Sequence, residues 1–270
     1  MIDVVDHGAV RELRLARPPV NALDPGLIAA LRAALAAAVV GGREAIVLSG
    51  SPGRFSGGLD VPALLQLDRA GIQHLWTDFF GLMRDLAALP VPIATAITGH
   101  SPAGGAVLAL FTDYRVMADG PFMVGLNEVQ VGLTLPPMVL RALVFTVGER
   151  QAARLGSGGH LLSPAEALRC GFVDEVVPPA DAVPRALAWC TEMLSRPRGA
   201  MTATRAMARR PLVDAFDQLG AQALSAMVDG WFAPEPQATL RALVARLKTR
   251  GAEAGPSPEP VVPSSKKPPA

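Results

Sequence analysis

The stretch Gly99-His100-Ser101-Pro102-Ala103-Gly104-Gly105, "GHSPAGG", joins the apolar run "VPIATAIT" to a second one, "AVLALF". Read as a Gly-x-Ser-x-Gly elbow, it would put a nucleophilic serine on a sharp strand-to-helix turn, with the amide of the next residue aimed at an oxyanion. That next residue is Pro102, which has no amide hydrogen. The fifth position is Ala103 where the elbow needs glycine, and His160 is the only downstream histidine. Asp113 or Asp119 completes a Ser, Asp, His order only formally. A second reading uses the glycines. The amides of Gly104 and Gly105 would belong to the unsatisfied first turn of a helix and point outward with the positive end of its dipole. A phosphate loop would follow the glycines with Lys and Ser/Thr, and "GGAVL" has neither, so a single developing oxyanion suits the turn better than a triphosphate. A third reading gives the glycines only a packing role between strand and helix.

Working outward, "GRFSGGLDV" at Gly53–Val61 repeats the arrangement: it follows the apolar run "EAIVLSG" and again places small residues, Ser56-Gly57-Gly58, between a strand and a helix. Two such turns after neighbouring strands would aim two amides at one carbonyl oxygen. The surrounding chain alternates strands and helices to about residue 195 and is helical beyond it. Asp24-Pro25 caps a helix carrying Leu27, Ile28, Leu31, Leu35 and Val39 at helical spacing. "SPAE" at Ser163–Glu166 is a capping box with proline at the first helical position, Gly171 stops that helix, and "FVDEVV" follows as a strand. Helical periodicity resumes in "AVPRALAWCTEMLS", "GAMTATRAMARR", "AFDQLGAQALSAMVDGW" and "PEPQATLRALVARLK". The expected division is a core over 1–195, a helical region over 196–250, and a Pro- and Ser-rich disordered tail over 251–270.

Composition narrows the function classes. The chain has 270 residues, half of them hydrophobic, enough for a sizeable core. Its 25 Lys and Arg balance 24 Asp and Glu, which leaves no basic excess for a phosphate backbone, so nucleic acid is not an expected partner. The amino end, "MIDVVDHG", is acidic where a signal peptide is basic, and the apolar runs are too short for a bilayer, so a cytoplasmic protein without integral membrane association is expected. Cys170 and Cys190 lack metal-ligand spacing and are expected to be buried, reduced thiols.

The pair "FSGGLD" and "ITGHSPAGG" resembles the paired oxyanion-hole segments of the crotonase (enoyl-CoA hydratase/isomerase) superfamily, whose members handle acyl-coenzyme A thioesters. The block "FMVGLNEVQVGLTLP" at Phe122–Pro136 is similar to that of the Δ3,Δ2-enoyl-CoA isomerases within it, and "DYRVMAD" and "LLSPAEALRCGFVDEVVP" match in order and spacing. The resemblance runs from about residue 10 to about 250. It implies an α/β spiral of repeated ββα units, a C-terminal helical region that builds homotrimers or hexamers, and an acyl-CoA substrate whose coenzyme A is held mainly by backbone groups. No metal and no separate cofactor are implied.

Residue by residue, the resemblance implies Glu128 as the catalytic proton carrier and the amides of Gly57 and Gly104 as the oxyanion hole. Ser56, Gly57, Gly58, Leu59, Asp60, Gly104 and Asn127 become the substrate contacts. Without the resemblance, Glu128 reads as an exposed carboxylate at a strand end. Among Val124, Leu126, Val129 and Val131 it would instead be poorly solvated, with a raised pKa. The superfamily's hydratases use a second glutamate, and the matching position holds Val107, which cannot activate water. Isomerisation of 3-enoyl-CoA to 2-trans-enoyl-CoA in unsaturated fatty acid β-oxidation is therefore the expected activity. A hydratase, a thioester hydrolase and an inactive acyl-CoA-binding paralogue are the alternatives. His100 reads as a residue packed over the turn, Asp60 as a helix cap, and the arginines of "RAMARR" as a solvated helix face or as contacts to coenzyme A phosphates.

Overall fold

The computed structural model describes residues 1–218 and 221–253. The chain advances in turns of two strands and a helix: β1 (Ile2–His7) and β2 (Val10–Leu15) with α1 (Pro25–Val40), then β3 (Ala45–Ser49) and β4 (Gly53–Arg54) with α2 (Val61–Leu64) and α3 (Arg69–Ala87). The next turn is β5 (Ile93–Ile97), β6 (Gly99–Pro102) and α4 (Gly104–Leu110), and the last is β7 (Tyr114–Ala118), β8 (Val124–Gly125) and α5 (Pro137–Val147). The first strand of each later turn joins a large sheet that ends in β9 (Glu175–Val177), in the order β1-β2-β3-β5-β7-β9. The second strands form a small parallel sheet, β4-β6-β8. This is the expected ββα spiral.

Alternation within the large sheet divides the core. Ile46, Leu48, Ile93, Ile97 and Met117 face the main cluster under α1, α3, α4 and α5. Ala45, Val47, Ala94, Ala96, Val116 and Ala118 face α8 (Ala182–Leu194), whose Ala182, Ala186 and Cys190 pack on that smaller surface. Cys190 is buried and its thiol is pushed up to about 12 by desolvation, whereas Cys170 is only half-buried, which corrects the expectation for that residue. Both are unpaired. The local signals hold where they concern backbone ends. Asp24 accepts the Leu27 amide at 2.7 Å, and both halves of the capping box close at α7 (Pro164–Arg169) between Ser163 and Glu166. The expected strand "FVDEVV" shrinks to the three residues of β9.

The small sheet places the functional segments. β4 and β6 pair with Gly53 opposite Gly99, and β6 and β8 with Pro102 opposite Gly125, so the residues leaving all three strands emerge at one edge. Gly99 is required there: a Cβ on it would lie 1.9 Å from the Gly53 carbonyl carbon.

α6 (Glu149–Gly158) and α7 lead to β9 and α8, after which the chain is helical: α9 (Arg198–Asp217), α10 (Ala221–Phe232) and α11 (Pro234–Glu253). The periodic stretch "GAMTATRAMARR" ends at Arg210, yet α9 continues through Pro211. The missing hydrogen bond is offset by burial of Leu212 and Phe216, and by anchoring of the preceding turn. Arg209 is buried, donating to the carbonyls of Leu86, Ala87 and Phe111 and to Asp113, and Arg205 reaches the same carboxylate and Leu89 O. These arginines are thus neither a solvated face nor free for phosphate; only Arg210 of the trio is exposed, paired with Asp214. α10 packs on α3, and α11 reaches the 3-10 turn Glu128–Val131. These helices therefore pack on the core of their own chain. α11 includes Gly251, Ala252 and Glu253, given to the tail from sequence, and the rest of the expected tail lies outside the described residues. No described helix is long and apolar enough to cross a membrane.

Candidate active site

A cavity of about 880 Å³ opens where β4, β6 and β8 end. Leu59, Gly104, Val107, Asn127 and Glu128 line it on the side of the small sheet, Trp76 and Phe79 of α3 on another, and α10 and α11 close it. Its wall is apolar apart from a few convergent polar groups, the usual character of a small-molecule site.

The amides at this edge can be followed one by one. Gly57 donates to the Val20 carbonyl at 2.7 Å, Gly58 to Ser56 Oγ at 3.2 Å, and Asp60 to the Leu23 carbonyl at 2.9 Å. Leu59 and Gly104 have no amide partner among the described residues. They are neighbours as well, since a Cβ on Gly104 would lie 3.3 Å from Leu59 N. This corrects Gly57 as the expected oxyanion donor: its hydrogen is held by the loop before α1, and the free amide lies two residues later at Leu59. Gly104 keeps the expected position. Ala103, which precedes it, has φ of 47° and ψ of −121° and donates to Gly125 O at 2.8 Å. A non-glycine residue in that region is strained, and here the strain turns the Gly104 amide out of the strand direction. The packing reading also holds, for Gly105: a Cβ there would lie 2.9 Å from Ser101 Oγ and 3.0 Å from Ser56 Cβ.

Three of the expected substrate contacts are spent inside the fold. Ser56 is buried with its hydroxyl on Asn21 O at 2.8 Å. Asp60 caps α2 through Ala63 N and pairs with Arg17 at 2.7 Å. Neither residue lines the cavity, nor does Gly58; Gly57, Leu59, Gly104 and Asn127 do.

Glu128 opens the 3-10 turn after β8. It has no ion-pair partner among the described residues, and its Oε2 is enclosed without a hydrogen bond. Desolvation lifts its pKa from 4.5 to about 7, with a backbone hydrogen bond opposing the shift. The neighbouring Asn127 Oδ1 is likewise buried and unpartnered. Gln130 Nε2 donates to Gly159 O at 2.8 Å and ties the turn to the end of α6. Val107, on α4, lines the same cavity. A second carboxylate, Glu235 in the first turn of α11, also lines the cavity but is exposed there, unlike the desolvated Glu128.

Ser101 is 0% exposed, and its hydroxyl has no partner. His100 Nδ1 accepts the Met123 amide at 3.2 Å and its ring meets Phe122 edge-on; desolvation, then Arg54, holds its pKa below the usual value. Asp113 is taken by arginines and Asp119 Oδ1 by the Gly120 amide. The hydrolase triad is absent from the described residues. Ser101→Ala is expected to keep at least half of the wild-type turnover, and a fluorophosphonate probe to leave Ser101 unlabelled; a covalent adduct there would restore the elbow reading.

Residues 6–228 match the family model described as enoyl-CoA hydratase/isomerase. The chain belongs to that family. Among relatives of this hydratase/isomerase family, the mouse protein "Enoyl-CoA delta isomerase 1, mitochondrial" is 35% identical over 217 residues, 79% of this chain and 75% of that one. A "Probable enoyl-CoA hydratase" from Mycobacterium avium (strain 104) is 34% identical over 198 residues, 72% of this chain and 76% of that one. The crystal structure of human mitochondrial delta3-delta2-enoyl-CoA isomerase superposes with a TM-score of 0.88 at 31% identity, covering 92% of this chain and 98% of that one. The cavity wall contributed by α3, α10 and α11 was not legible from sequence as a hydratase/isomerase site. Trp76 and Phe79 repeat at core spacing with Ile72, Leu75 and Met83, and nothing local separates a cavity wall from a packed face.

Proposed function

We propose that the protein is a Δ3,Δ2-enoyl-CoA isomerase that moves one proton with one carboxylate. The observation that carries this reading is Glu128, a desolvated and unpaired carboxylate on the wall that also holds the free amides of Leu59 and Gly104. In a 3-enoyl thioester the C2 proton is acidified by both the carbonyl and the double bond. Glu128 takes that proton, and the electron pair moves into a dienolate whose negative charge collects on the thioester oxygen. The two amides meet that oxygen, each contributing on the order of a hundredfold or more in rate. Glu128 then returns the proton at C4, giving the 2-trans-enoyl thioester and restoring the carboxylate. The cycle consumes no acid or base, and coenzyme A enters as part of the substrate rather than as a resident cofactor.

Val107 supports isomerisation over hydration, because addition of water needs a second group to hold and activate it, and valine offers none. The reading includes a role in unsaturated fatty acid β-oxidation, and a homotrimer or hexamer, supported by the exposed apolar side chains of Leu140, Phe145 and Leu168. It also includes a reducing compartment, the cytoplasm, which suits two unpaired cysteines. Two assays on the wild-type protein test the activity. Given 3-enoyl-CoA, it is expected to form 2-trans-enoyl-CoA at least a hundredfold faster than it converts 2-trans-enoyl-CoA and water to 3-hydroxyacyl-CoA. Equal rates would favour a hydratase, and binding without exchange of the α-proton into deuterated water would favour an inactive acyl-CoA-binding protein.

A further inference from the structure

Gly230 lies within the last turn of α10, where glycine weakens a helix by up to about 1 kcal/mol relative to alanine. The fold does not ask for it. Its φ is not positive, and a Cβ built on it meets no heavy atom of the described residues within 4 Å. Gly230 does line the cavity, together with Ala226, Met227 and Trp231 of the same helix, and the spacing 226, 227, 230, 231 puts all four on one face. Trp76 and Phe79 line it from α3, against which α10 packs. Gly230 and Ala226 are themselves exposed, so the space beside Gly230 is an open part of the cavity, free of protein atoms among the described residues and continuous with an otherwise apolar wall.

We propose that Gly230 determines which acyl chains the cavity accepts, and that the substrate is a linear 3-enoyl thioester whose chain beyond C4 runs along the Gly230 face of α10. The inference rests on the isomerase reading for the identity of the thioester, but not for the site of the chain. A methylene fully buried against that face adds up to about fourfold in selectivity, so a linear chain is favoured progressively until the space is filled. A leucine side chain at position 230 would occupy the room of two or more methylenes and meet no atom of the described residues at its Cβ.

The test is a series of 3-enoyl-CoA thioesters of increasing chain length, from six to twelve carbons, assayed with wild type, Gly230→Ala and Gly230→Leu. In parallel, the binding of saturated acyl-CoA thioesters of the same lengths is titrated by isothermal calorimetry. The expected result is a fall of at least about tenfold in the twelve-carbon to six-carbon ratio of kcat/KM for Gly230→Leu, a smaller fall for Gly230→Ala, and the same order in the binding ratios. An unchanged ratio, or equal loss at every length, would overturn the proposal. Binding ratios that shift as expected in a protein with no isomerase activity would retain the acyl-chain site while removing the isomerase reading. Should Gly230→Leu not fold, as judged by its circular dichroism melt, Gly230→Ala decides the outcome, because its single added methyl must still lower the ratio.

Discussion

Glu128→Gln is expected to lower kcat/KM for 3-enoyl-CoA isomerisation by about a hundred- to ten-thousandfold, the contribution of a positioned general base, while saturated acyl-CoA binds with nearly the wild-type Kd. The amide keeps the size of the side chain and cannot accept the C2 proton. The wild-type pH profile should carry the same signature. With the Glu128 pKa near 7, the basic form is half populated at that pH, and kcat/KM falls about tenfold for each unit below it. Stability moves the other way. The folded-state pKa lies above the unfolded value of 4.5, so the native state holds this proton more tightly. The resulting stabilisation is complete below pH 4.5 and is lost as the pH rises through about 7. Above that, the buried anion costs the wild type up to about 3 kcal/mol. Glu128→Gln should therefore melt above the wild type at pH 8 and close to it at pH 4. Wild-type isomerisation by the Gln variant, or a melting difference that grows toward acid, would remove Glu128 from the role of base.

Asp113→Ala is expected to destabilise the fold by about 3–5 kcal/mol, because it takes the anion from two enclosed arginines at once. Asp113 accepts from Arg205 Nε and Arg209 Nη1, each at 2.8 Å, and from the Ile93 amide, also at 2.8 Å. Burial pulls the Arg209 guanidinium below its ordinary pKa, and Asp113 is the main group opposing that shift. The cluster fastens α9 to the carbonyls at the end of α3, the helix that carries Trp76 and Phe79 into the cavity. Urea unfolding read at the tryptophans measures the loss. A change below about 1 kcal/mol would mean that the three carbonyl acceptors of Arg209 suffice without the carboxylate.

Much of this architecture is written in short-range signals. Asp24, Ser163 with Glu166, and Gly171 mark helix ends because a cap needs only a side chain and a backbone group within a few residues of each other. The alternation of strands and helices, and glycines where strand meets helix, told of an α/β spiral with amides exposed at its turns. The blocks "PAGG" and "LNE" carried Gly104 and Glu128 by resemblance, and the structure puts both on one cavity wall.

Other decisions were made by partners distant in the chain. Whether Gly57 or Leu59 offers a free amide depends on the Val20 and Leu23 carbonyls, which take the hydrogens of Gly57 and Asp60 and leave that of Leu59. Arg209 reads as one more base on a helix until Leu86, Ala87, Phe111 and Asp113 surround it. The apolar faces of α10 and α11 have the same periodicity whether they meet another subunit or close a cavity in their own chain. Sequence by itself determined which segments form strands, helices and turns, because those depend on neighbours along the backbone. Tertiary structure decided which amide is free, which charge is buried and which apolar face borders empty space, because each depends on what packs against it from elsewhere in the fold.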